Sequence, residues 1–76
     1  MKDLLLYIAQ NLVDHPEAVV VKEIPGDVET TLELHVDPED MGKVIGRQGR
    51  IAKEIRTLVR SCAQRDGQRV TVDIVD

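Results

Sequence analysis

The segment Met41–Arg56, MGKVIGRQGRIAKEIR, decides how the rest of the chain is read. Gly46 and Gly49 bracket Arg47 and Gln48, with an apolar pattern of helical spacing on either side. Upstream, Met41, Val44 and Ile45 fall at i, i+3 and i+4. A helix is therefore expected to end at Gly46, where the left-handed backbone of a helix terminus suits a residue without Cβ. Downstream, a second helical pattern opens at Arg50. A glycine just before it leaves first-turn amides open to a ligand, and the helix dipole makes that end partly positive. The segment reads as a phosphate-facing turn between two helices.

The charge distribution points the same way. Taken as a whole, the net charge of −4 disfavours a polyanionic partner, but it averages two opposed regions. Residues 1–40 carry two basic against ten acidic side chains, a local charge of −8. From 41 to 69 the balance is +6, with Lys43, Arg47, Arg50, Lys53, Arg56, Arg60, Arg65 and Arg69 against Glu54 and Asp66; Asp73 and Asp76 supply the remaining −2. The positive charge thus gathers around the glycine pair.

The flanking sequence supplies a scaffold. Asp3 is expected to cap a first helix whose apolar residues are Leu4, Leu5, Ile8, Leu12 and Val13, ended by Asp14-His15-Pro16. Ala18–Ile24 is rich in β-branched residues, Pro25-Gly26-Asp27 is a turn, and Thr30–Val36 alternates Leu32, Leu34 and Val36 with polar residues, giving a hairpin. Asp37 caps a short helix with Pro38 at its first position. In the helix from about 50 to 65, Ile51, Ala52, Ile55, Leu58, Val59, Cys62 and Ala63 form one apolar arc, and Lys53, Arg56 and Arg60 share a flank. That flank is either a solvated face or a second phosphate track; its closeness to the loop favours the track. Asp66-Gly67 ends the helix, and 69–75 is a last strand, parallel to 30–36 because two helices return the chain in the same direction. The expected class is α+β, in the order α-β-β-α-α-β, with a three-stranded mixed sheet packed against three helices in one domain spanning 1–76.

Two glycines three apart also occur in ordinary αα corners. Here the turn has a capped short helix before it and a long amphipathic one after it. Val44-Ile45-Gly46-Arg47-Gln48-Gly49-Arg50 in that setting resembles the KH-domain motif, whose G-x-x-G loop clamps about four nucleotides of a single strand. The element order resembles the prokaryotic type II KH fold, and a chain of this length with GKVIGRQGRIAKEIR is similar to the small bacterial KhpA family. In the common V-I-G-x-x-G-x-x-I pattern the last position is Ala52 here, between Ile51 and Ile55. The resemblance implies a cytoplasmic single-stranded RNA-binding protein that forms a homodimer or a heterodimer with a KhpB-like KH protein, linked to small-RNA binding and to cell elongation and division. It places backbone clamping on Gly46, Arg47, Gln48 and Gly49. From the residues themselves, Arg50, Lys43 and Lys53 are expected at phosphates and Ile45 at base faces. The alternative is a protein-interaction adaptor in which RNA contact is incidental.

Other residue types point away from catalysis, metal and membrane. His15 and His35 show no ligand spacing; His15 reads as a helix-end residue and His35 as a solvent-facing one. Cys62 reads as a buried, inert thiol, and Glu39 and Asp40 as helix-start charges. Leu4–Ala9 is too short to span a bilayer. No cofactor and no small-molecule substrate is expected. With Tyr7 as the single aromatic residue, an aromatic stacking platform for bases is excluded.

Overall fold

The computed structural model describes residues 1–75. Its elements run α1 (Lys2–Leu12), β1 (Val20–Pro25), β2 (Thr30–His35), α2 (Met41–Ile45), α3 (Arg50–Arg65) and β3 (Val70–Val75), with single 3-10 turns at Pro16–Ala18, Pro38–Asp40 and Arg47–Gly49. This is the expected α+β order. The sheet has the strand order β1-β2-β3. The β1–β2 hairpin is antiparallel and β2–β3 parallel, with Val21 opposite Leu34 and Leu32 opposite Val72.

One face of the sheet is covered. Val21, Leu32, Leu34, Val70 and Val72 point from it into a core completed by Leu5 and Ala9 of α1, Val44 of α2, and Ile55, Val59 and Ala63 of α3. The period of two along each strand delivers these residues to the same side. On α3 the buried positions Ala52, Ile55, Val59 and Ala63 recur at three and four, which draws one stripe down a helix. Full burial of Val59 contributes on the order of 2 kcal/mol. The core is wholly aliphatic; Tyr7 stands 66% exposed on the far side of α1.

Several boundaries and burial assignments differ from the sequence reading. Met1, not Asp3, is the N-cap of α1, so Asp3 lies in the first turn, where its charge favours the dipole without a capping bond. Val13 has left the helix in extended conformation. Ala18 belongs to a 3-10 turn, and Pro25 is the last residue of β1, a strand-end position at the sheet edge that needs no amide donor. Leu58 is 48% exposed and Cys62 half-buried, because the apolar arc of α3 is wider than the contact surface under it. Their side is the one that faces α1, where Ile8, Leu12, Ile51 and Leu58 line an open apolar groove.

Candidate nucleic-acid interface

The turn between α2 and α3 is built by three consecutive backbone decisions. Gly46 ends α2 at φ 75°, ψ 176°, a conformation that is essentially glycine's alone, while its amide donates to Gly42 O at 2.9 Å. A Cβ at Gly46 would also lie 2.5 Å from Ile51 Cγ1, so the chain folds tightly over the start of α3. Gln48 is left-handed at φ 58°, ψ 24°, the one non-glycine residue with positive φ among the described residues. Gly49 follows at φ 73°, ψ 15°, and a Cβ there would meet nothing within 4 Å. Gly46 is thus required by both conformation and space, Gly49 by conformation alone.

This geometry assigns the amides. Those of Gly49 and Arg50 donate to Gly46 O and Arg47 O. The amides of Arg47 and Gln48 have no backbone partner among the described residues, and both residues are exposed. These two are the turn's donors without a backbone partner among the described residues, next to the positive end of the 16-residue α3. Both residues lie in the loop itself, between the two glycines and ahead of the first turn of α3.

The structure brings Arg47, Gln48, Gly49, Arg50 and Lys53 together at the start of α3, with Ile45 beside them at 36% exposure. Arg47, Arg50 and Lys53 are exposed and have no ion-pair partner among the described residues. Lys43 is placed otherwise. Its ammonium lies 3.2 Å from Asp14 Oδ2 and 3.8 Å from Asp40 Oδ1, and the ion pair with Asp14 pushes its pKa up. Sequence proximity to the glycines placed Lys43 with the turn; in the structure its ammonium pairs with Asp14, just past α1, and Asp40, at the start of α2.

The basic flank of α3 divides in the same way. Lys53 remains with Arg50. Arg60 borders a cleft with Glu29, Gln64 and Arg69 at the far end of the helix. Arg56 reaches across to the sheet, its Nε donating to the Val72 carbonyl at 3.3 Å. β3 is an edge strand, so the turn with α3 on one side and unpaired strand backbone on the other, joined by Arg56, are the two walls of a candidate groove.

Residues 2–74 match the sequence profile of the KH domain of KhpA and KhpB. The chain belongs to the KhpA/KhpB KH-domain family. It is similar to proteins named RNA-binding protein KhpA. The one from Clostridium perfringens is 55% identical over 75 residues, covering 99% of this chain and 100% of that relative. The one from Listeria monocytogenes is 46% identical over 76 residues, covering 100% of both. Among solved structures, a variant of Aquifex aeolicus Era bound to GDP and aluminium fluoride aligns with a TM-score of 0.66 at 21% identity, over 96% of this chain and 28% of Era. A second Era structure, in complex with MgGDPNP and a segment of 16S ribosomal RNA, aligns at 0.63 with 22% identity and the same coverage. The Era likeness is one of fold and concerns about a quarter of that chain.

In this KH fold α2 has a buttress that no spacing in the sequence reveals. Asp40, 1% exposed, accepts from the backbone amides of His15 at 3.0 Å and Asp14 at 3.3 Å, and from His15 Nδ1 at 3.0 Å. It ties the chain leaving α1 to the start of α2, so Asp40 is a helix-start charge, as expected, that is also buried and bonded to a distant segment. Burial pushes the Asp40 carboxyl up, but the bonds from the His15 ring and the two amides outweigh it and hold the pKa low. The same hydrogen bond raises that of His15. A separation of 25 residues hides the pair from any spacing rule. His15, Asp37 and Glu39 also bring potential ligand atoms within 4.8 Å of one another, which the sequence reading did not expect. Within this group His15 Nδ1 bonds Asp40, and Asp37 Oδ1 accepts from the Glu39 amide at 2.9 Å, a capping bond of the helix start. His35 lies on the uncovered sheet face, 3.4 Å from Glu33. Among the described residues no helix is long and apolar enough to cross a membrane.

Proposed function

We propose that this chain is a cytoplasmic single-stranded RNA-binding protein that holds a sugar-phosphate backbone on the Gly46–Gly49 turn. The observation that carries the reading is the coincidence of two amides with no backbone partner among the described residues, at Arg47 and Gln48, with Arg47, Arg50 and Lys53, whose charges have no acidic partner among them. Phosphates accept from such donors, and these contacts position a strand without reading its sequence. Ile45, exposed beside the turn, offers an apolar surface to a base face. The names of the KhpA relatives support RNA as the strand. The function is binding, with no reaction assigned to any residue.

A single turn with about three to five phosphate contacts binds weakly, so pairing of two chains adds avidity if both turns engage one RNA. The face suited to pairing, with itself or with a KhpB-like protein, is the open groove of Ile8, Leu12, Ile51 and Leu58 between α1 and α3. It lies on the opposite flank of α3 from Arg56, so a partner there leaves the RNA groove open.

The test is RNA affinity against salt for the wild type and for Arg47→Asp combined with Gln48→Asp. Aspartate tolerates the left-handed backbone at 48 better than most residues, and both glycines remain, so the fold survives. The wild type is expected to show a log–log salt slope of roughly −2 to −4, and the double variant to lose most of its affinity. Full binding by a folded double variant would overturn the proposal.

A further inference from the structure

Arg56 has a place in the groove that backbone clamping does not use. Strand β3 is the sheet's outer edge on the side of α3. The Thr30 amide donates to Arg69 O at 2.9 Å, so the backbone groups of Arg69 face β2, and alternation along the strand turns those of Val70, Val72 and Ile74 to the open edge. The Arg56 Nε–H donates to one of them, the Val72 carbonyl. That bond fixes the plane of the guanidinium and leaves its two terminal amino groups free, four N–H donors in a rigid fork. It also masks an edge acceptor, so this part of the groove presents mainly donors. Arg56 follows Gly49 by seven residues on α3, on the order of 10 Å along the axis, within the reach of about four nucleotides clamped at the turn.

We infer that Arg56 is a base-reading residue, and that the base it selects is guanine, whose O6 and N7 form the adjacent acceptor pair that an arginine fork matches. The inference rests on the RNA-binding reading. A phosphate role for Arg56 makes a different demand, because a phosphate contact acts equally on every sequence and contributes to the salt slope.

The experiment is fluorescence anisotropy with eight-nucleotide single-stranded RNAs: all-uridine, all-adenosine, and uridine carrying a single guanine at each position in turn. Wild type is expected to bind the best-placed guanine about tenfold more tightly than all-uridine RNA. Arg56→Lys keeps the charge and loses the fork, so its salt slope should match that of wild type while the ratio of guanine-containing to all-uridine affinity falls from about ten to near one. Circular dichroism verifies that the variant is folded. A preference that survives Arg56→Lys overturns the inference, as does a uniform loss across all RNAs with a salt slope shallower by about one in Arg56→Gln. Wild-type binding with no guanine preference overturns this inference alone. Failure of the wild type to bind any of these RNAs overturns the RNA-binding reading and this inference with it.

Discussion

Alanine at Gly46 and alanine at Gly49 should have unequal effects, although the two positions look equivalent in sequence. At Gly46 the backbone angles of φ 75° and ψ 176° are closed to L-residues, which costs about 2 kcal/mol. The new methyl would sit 2.5 Å from Ile51 Cγ1 and 2.8 Å from Cδ1, an overlap that costs about 2 kcal/mol more as the neighbour is displaced. Restriction of the unfolded chain returns about 0.5 kcal/mol, leaving a loss of about 3.5 kcal/mol. At Gly49 the left-handed angle costs about 1 kcal/mol and the methyl meets nothing. Against a total stability of about 8 kcal/mol for a chain of 76 residues, the first change removes nearly half. With no tryptophan and one tyrosine, unfolding is best followed by far-ultraviolet circular dichroism. Tm should fall by roughly 15–25 °C for Gly46→Ala and by roughly 5 °C for Gly49→Ala. Adding Ile51→Ala to Gly46→Ala removes the atoms in closest contact, so the double variant should be less destabilised than the sum of the singles by about 1–2 kcal/mol. Equal losses at the two glycines, or a strictly additive cycle, would refute the idea that Ile51 sets the demand at Gly46.

The other expectations concern the same corner and the surface beside it. His15 is raised above its ordinary value of 6.5, so its contribution is full below pH 6.5 and lost as pH rises through the folded value. Asp40 is held below 3.8, so its contribution is present above that pH and lost as pH falls through the folded value. Tm should therefore peak between these limits and decline above neutrality, and His15→Gln should remove the decline on the alkaline side; an unchanged profile in that variant would exclude the pair as its source. Gln48→Gly relieves a left-handed side chain and should leave stability equal or higher, whereas the β-branched Gln48→Val should lower it by about 1–2 kcal/mol in urea unfolding, and a loss of that size for the glycine would show that Gln48 is unstrained. Leu58→Asp should shift a sedimenting dimer towards monomer with little change in Tm, since Leu58 is 48% exposed in the monomer; a dimer unaffected by it would move the pairing face elsewhere.

Local pattern carried most of the architecture. The period of the apolar residues in 51–63 and the alternation in 30–36 and 70–74 are enough to set helix and strands, because each needs only neighbours within a turn or two to define its buried face. Element ends were less legible. Pro25 reads as a turn residue but joins β1, since the strand's edge position makes no use of the missing amide. Leu58 and Cys62 read as core because an arc is defined on one helix, while burial depends on how far the neighbouring helix extends over it.

For the candidate site, the sequence alone determined that a tight turn with two glycines joins two helices, that positive charge gathers there and that negative charge lies elsewhere. Those are properties of residue type and spacing. Only the tertiary structure decided which charges serve the turn. It sends Lys43 to Asp14 and Asp40, lays Arg56 on the free edge of β3, and buries Asp40 under an amide and a ring 25 residues away. The reason is directional: a helix fixes where a side chain begins, and the partner it finds depends on which distant segment has been packed opposite.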